Sequence, residues 1–167
     1  MTMTTTAAPD GLLVRVGALY ARIGSLLDRY LGPVAEVAAR YWLGLIFFRS
    51  GLGRATDWSS QEFLFESIHP LPGIPPSVAA VVTTAGELVL PILLWLGLGQ
   101  RLAALGLFAM TAVIQFIVAQ TPEGIENHIG NLEHYAWMVG FLLLATRAPS
   151  VLTLDHWLCR RCAGSHS

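Results

Sequence analysis

The sequence predicts an all-α membrane protein: a four-helix transmembrane bundle, preceded by an amphipathic surface helix and carrying a short half-helix on its outer face. Three observations predict it. The 167-residue chain is 54% hydrophobic and only 13% charged, with a mean hydropathy of +0.57, whereas a soluble domain carries roughly 25% charged residues. Its length leaves room for about four helices of ~20 residues and their loops, and for no sizeable soluble module. All ten basic residues are arginine, and they gather at particular ends of the apolar stretches.

Residues 1–10 form a Thr/Ala tail without a basic start, so they are expected to be disordered and not a cleaved signal peptide. Residues 11–32 are amphipathic. Arg15, Arg22 and Arg29 recur every seven residues along one helical face with Ala18 and Ser25, and Leu12, Leu19, Ile23, Leu26 and Leu27 lie elsewhere. That pattern suits a helix lying on an anionic membrane surface; packing against the bundle is the alternative. Pro33 is expected to open a new segment, the bundle of residues 33–147.

The first span is expected over about Val37–Thr56, the second over Pro76–Leu98, the third over Leu102–Gln120 and a short fourth over Leu132–Thr146. Arg15, Arg22, Arg29 and Arg40 precede the first, Arg101 sits in the turn between the second and third, and Arg147, Arg160 and Arg161 follow the fourth. The positive-inside rule then places both termini and that turn in the cytoplasm, in a cell inner membrane. Arg54 alone breaks the pattern. The opposite loops are acidic and bear histidine: Asp57, Glu62, Glu66 and His69 in one, Glu123, Glu126, His128, Glu133 and His134 in the other. Aromatics in the first of these, Trp58, Phe63 and Phe65, suit a short interfacial half-helix, which the prolines of Pro70–Pro76 cut off from the second span.

Glu87 is the residue most in need of explanation, since a carboxylate inside a span is costly without a partner. Arg49 is its expected partner: nine residues from Trp58 and eleven from Pro76 put the two at about 14 Å and 17 Å of helical depth. Thr83 and Thr84, a turn earlier, can donate hydrogen bonds to Glu87, and Pro91, a turn later, frees its carbonyl. Gln115 shares a face with Thr111 and suits an interhelical hydrogen bond. His134 and Trp137, three apart, share a face at the outer mouth, where a histidine can titrate or bind a ligand. The polar-core and ligand-binding candidates are therefore Arg49, Glu66, Thr83, Glu87, Gln115, His134 and Trp137.

No metal ligand is assigned. Glu66, His69, His128 and His134 imitate no recognised ligand spacing and are expected to be solvated. His156, Cys159, Cys162 and His166 make a compact H-x2-C-x2-C-x3-H, but structural zinc sites separate their ligand pairs by a longer loop. Two cysteines in a cytoplasmic tail, residues 148–167, are expected to stay reduced. Nucleotide-binding and hydrolase motifs and a nucleic-acid-binding patch are absent from the sequence.

Several short motifs carry a family resemblance. Phe47-Phe48-Arg49-Ser50-Gly51, Phe65-Glu66, Pro72 with Pro75-Pro76, Glu87-Leu-Val-Leu-Pro91, Gly97-Leu-Gly-Gln-Arg101-Leu-Ala-Ala-Leu and Met110-Thr111 with Ile114-Gln115 follow one another in an order that resembles the DoxX family. His134-Tyr-Ala-Trp137 and Leu154-Asp155 resemble that family's fourth-helix start and C-terminal end, so the likeness covers about Tyr41 to Trp157. The loop Thr121–Glu133 is longer and more acidic than the family pattern, and Ser67 stands where an aromatic is usual. The resemblance implies a small four-helix membrane protein associated with redox systems, one branch belonging to a thiosulfate:quinone oxidoreductase.

Two functions stay open at this point. In one, the chain is an accessory or quinone- and proton-handling subunit of a membrane redox system, fed electrons by a partner enzyme because its spans lack haem or iron–sulfur ligand spacing. In the other, it is a transport or accessory protein binding a small molecule or metal at the outer mouth. Partners beyond the lipid bilayer are then a redox enzyme or a second copy of the chain.

Overall fold

The structure, a computed structural model, describes residues 11–148 and 150–163, and every described regular element is helical. The expected tail at residues 1–10 lies outside the described residues. Contacts divide the chain into two units, one ending at Ala35 and one starting at Glu36.

In the first unit, α1 (Leu12–Leu26) contains no buried residue. It leads into a single π-helical turn, Leu27–Leu31, closed by the Gly32 N–H donating to the Leu27 carbonyl. Helix runs over Leu12–Thr56, 45 residues, with this turn just before Pro33, where a new segment is expected. A proline lacks the N–H for an α-helical bond, and its ring collides with the carbonyl four residues back; the widened turn just before Pro33 accommodates both.

The second unit holds the bundle. From Glu36 onward, α2 (Gly32–Thr56) buries Glu36, Arg40, Leu43, Gly44, Phe47 and Gly51, a stripe of period near 3.6. Thr56 ends it, and α3 (Gln61–Ser67) follows as the expected half-helix, its Phe65 buried against Ala79 and Ala80. Pro76 opens α4 (Pro76–Leu96) at a position where the missing N–H costs nothing. A left-handed Gly97 (φ +63) ends α4, where a side chain would meet Arg40 and Thr153.

Next come α5 (Gln100–Phe116), a 3-10 turn at Val118–Gln120, α6 (Pro122–Glu126) and α7 (Leu132–Thr146). α6 lies in the stretch expected to be loop. Its Thr121 cap accepts from the Gly124 N–H, and Asn131 caps α7 by accepting from the Glu133 N–H. Leu43, Phe47, Leu94, Ala103, Ala104, Leu107, Phe141 and Leu144 form the apolar core, with Phe47 and Phe141 edge to face at 5.5 Å.

Three helical stretches are long and apolar enough to cross a membrane: Leu12–Thr56, Pro76–Leu96 and Gln100–Gln120. The fourth member of the bundle, α7, has 15 residues, about 22 Å of helix.

The described C-terminal residues make contacts with α4 and α5. The first turn of α8 (Leu154–Ala163) carries Asp155, whose carboxylate accepts from the Gly99 and Gln100 N–H groups at 2.8 and 2.9 Å and so caps α5. Arg40, only 2% exposed, donates to the Leu152 carbonyl at 3.2 Å. It thereby ties α2 to the C-terminal segment.

Candidate functional site

The site grows from a close helix approach. A side chain at Gly51 would come within 2.8 Å of Glu87 Cβ, so only glycine lets α2 rest on α4 at this level. Glu87, at 2% exposure, is therefore fixed against the α2 backbone. Its Oε1 accepts from the Ser50 hydroxyl at 3.2 Å, and its Oε2 lies 3.1 Å from Arg54 Nε.

Arg54, not Arg49, is the partner of Glu87. Helical phase decides it: Arg54 lies about 60° around the helix from Gly51, whereas Arg49 lies about 160° away. Arg49 is accordingly exposed, whereas the Arg54 side chain is only 15% exposed. Depth along the helix, without phase, points to the wrong arginine. The exception in the arginine distribution is also explained, because Arg54 is spent on an internal carboxylate and is not a solvated loop charge. The threonines differ from expectation too. Ser50 supplies the hydroxyl, the buried Thr84 Oγ1 has no partner, and Thr83 faces a neighbouring apolar cavity.

A second polar node joins α5 to α7. Gln115 Oε1 accepts from the Asn131 N–H at 3.1 Å and meets His134 Nδ1 at 2.8 Å, while its Nε2 donates to the Tyr135 hydroxyl at 3.3 Å. The backbone donor at Asn131 fixes which end of the amide is oxygen. His134 Nδ1 must then carry a proton, leaving Nε2 as an acceptor in the neutral ring. Trp137 packs edge to face on that ring at 5.0 Å.

Between the two nodes lies a cavity of about 310 Å³ lined by Ile46, Phe47, Ser50, Arg54, His69, Glu87, Thr111, Ile114, His128, Ile129, His134 and Trp137. His69, between α3 and α4, and His128, between α6 and α7, both line it from loops. His128 does so from a left-handed backbone (φ 53), a region histidine tolerates better than most residues. Burial, and secondarily the Arg54 charge, push the His69 pKa below the ordinary histidine range, so it is neutral at neutral pH. Arg54 also stands over the Phe65 ring at 5.0 Å.

Of the residues singled out from sequence, Glu87, His134 and Trp137 line the cavity and Gln115 orients His134. Glu66 and Arg49 are exposed and do not line it. Sequence reasoning missed Ser50 and Arg54 as Glu87 partners, and did not place His69, His128 and Thr111 on one cavity. Phe47, Ser50, Gly51 and Arg54 at i, i+3, i+4 and i+7 would have found the first two. Among the described residues, no three His, Cys, Asp or Glu side chains come together as a metal-binding group. Cys159 is exposed on α8; the Cys162 side chain and His166 lie outside the described residues.

Apolar spanning helices around an internal, charge-paired cavity define a small polytopic membrane protein with a polar core. The sequence pattern of the DoxX family matches residues 35–120. That is just over half of the chain, and the protein belongs to the DoxX family. The match takes in Ser50, Arg54, His69, Glu87 and Gln115 and ends before α7. No curated protein and no solved structure matches the chain.

Proposed function

We propose that the cavity binds the ring of a quinone and that the protein serves as a membrane subunit of a redox system. The observation that carries this reading is a charge-compensated, aromatic-walled cavity that still offers an unpartnered donor. Arg54 and Glu87 cancel each other's charge, yet Arg54 Nη1 is buried without a hydrogen-bond partner. An uncharged planar ring bearing carbonyl acceptors suits that chemistry: a carbonyl takes the free N–H, and the ring packs beside Trp137 and Phe47.

Reduction of a quinone consumes protons as well as electrons. His134, with Nδ1 tied to Gln115, presents Nε2 for proton exchange, and His69 stands at the mouth. Electrons come from a partner dehydrogenase, since the spans offer no haem or iron–sulfur ligand set. The arginine distribution supports both termini in the cytoplasm of a cell inner membrane, with the cavity mouth facing outward.

Native mass spectrometry of the purified protein, followed by lipid extraction, tests the reading. A stoichiometric quinone released on unfolding is the expected result. Bound metal with no quinone would contradict it and favour transport or delivery of a metal at the mouth.

A further inference from the structure

A second cavity of about 280 Å³ adjoins the first, and its lining has the opposite character. Phe65, Leu71, Ile74, Ala109, Met110, Val113 and Val118 supply its walls, and Thr83 is the one polar residue of this lining that the first cavity does not share. Arg54, His69 and Ile114 line both cavities, so these three form the partition. Two nitrogens on the partition, Arg54 Nη1 and His69 Nδ1, are buried without hydrogen-bond partners. Ala109 on α5 and Ile74 before α4 are exposed, which opens the apolar chamber toward the surroundings of these helices.

We infer that the ligand is an amphiphile: a neutral carbonyl-bearing head in the polar chamber, and an apolar tail that passes the Arg54–His69–Ile114 partition into the second chamber. The inference rests on the proposed reading of the polar cavity as a head site and adds where the rest of the molecule goes. Charge selects the head. Arg54 is already compensated by Glu87 at 3.1 Å, and His69 is held uncharged by burial and by Arg54. A phosphate or carboxylate would bring an unmatched charge into a buried site, whereas a carbonyl accepts from the free guanidinium N–H and adds none. Shape selects the tail. An apolar chamber joined to a polar one by an unpartnered donor offers a tailless polar solute nothing beyond the partition, while a chain can lie along Met110 and Val113 and leave past Ala109 toward lipid.

The test is photolabelling of the full-length protein in nanodiscs with a decyl-tailed benzoquinone carrying a diazirine in its tail, with peptides mapped by mass spectrometry. Excess tailless benzoquinone is the competitor. The expected result is label on Leu71–Ile74 and Met110–Val113 that the competitor removes. Ala109→Phe, at an exposed position and checked to melt close to the parent, should reduce that label to background by filling the chamber wall. Label that the competitor removes but that maps elsewhere, or that persists unchanged in Ala109→Phe, overturns the two-chamber assignment and leaves the head site standing. Absence of any competable label overturns the head site and the inference together.

Discussion

Replacing Arg54 by leucine leaves the Glu87 carboxylate, with a side chain only 3% exposed, facing α2 with Ser50 as its remaining partner. At a charge separation of about 4 Å and an effective dielectric of ~20, the lost attraction is about 4 kcal/mol. That agrees with the ~3–5 kcal/mol typical of breaking a buried pair from one side. Glu87→Leu strands the Arg54 guanidinium in the same way, softened by its greater exposure and by the Phe65 ring. In the double variant Arg54→Leu/Glu87→Leu neither charge remains, and most of the loss should return, because a buried pair and an apolar replacement are close in stability. Thermal unfolding in detergent reads the cycle: each single change should lower Tm by roughly 6–20 °C, at ~2–4 °C per kcal/mol for a chain of this size. Arg49→Leu is the internal control, expected within ~0.5 kcal/mol of the parent because Arg49 is exposed. Additive losses in the double variant, or an Arg49→Leu loss as large as that of Arg54→Leu, would refute the assignment of the pair.

Other consequences are open to measurement. Thr84→Val removes a buried hydroxyl that has no partner and should be neutral or stabilising in detergent melts; a loss above ~1 kcal/mol would reveal a hydrogen bond at that position. Asp155→Ala removes the cap from α5 and should cost about 0.5–2 kcal/mol, with faster proteolysis of α8; equal protease resistance would show that α8 is held otherwise. Because the folded-state pKa of His69 is lowered, its contribution to stability is intact above the unfolded value of ~6.5 and declines as pH falls through that value toward the folded one. The Tm difference between the parent and His69→Gln should therefore shift against the parent on acidification, and a difference constant with pH would show that His69 does not titrate in this environment. Asn127→Cys should react with an impermeant thiol reagent from the non-cytoplasmic face of cells while Cys159 does not, and the reverse labelling would invert the proposed topology.

Much of the architecture is legible in composition and periodicity. Apolar stretches of span length, prolines and glycines locate α4 and α5 within a few residues, and the aromatic loop reveals α3 because Phe65 is too apolar to stay solvated. What escaped depends on non-local geometry. The continuity of α1 into α2 turns on a π-helical turn before Pro33, which no periodicity announces. α8 owes its position to Asp155 meeting backbone donors 55 and 56 residues away, a contact invisible to local pattern. Within the site, Glu87 stood out because a lone carboxylate in an apolar span demands a partner. Choosing that partner required the azimuth of Gly51, which only a close helix contact defines. His69 and His128 read as solvated loop residues, and only the folded loops bring them onto one cavity.

The central claim is that the cavity centred on Arg54 and Glu87 is a ligand site, and calorimetric titration with tailless benzoquinone tests it most directly. Arg54→Leu/Glu87→Leu, provided it melts close to the parent, should show binding reduced beyond detection, whereas Arg49→Leu should bind as the parent does. Undiminished binding by the stable double variant would contradict the claim and reduce the ion pair to a structural strut.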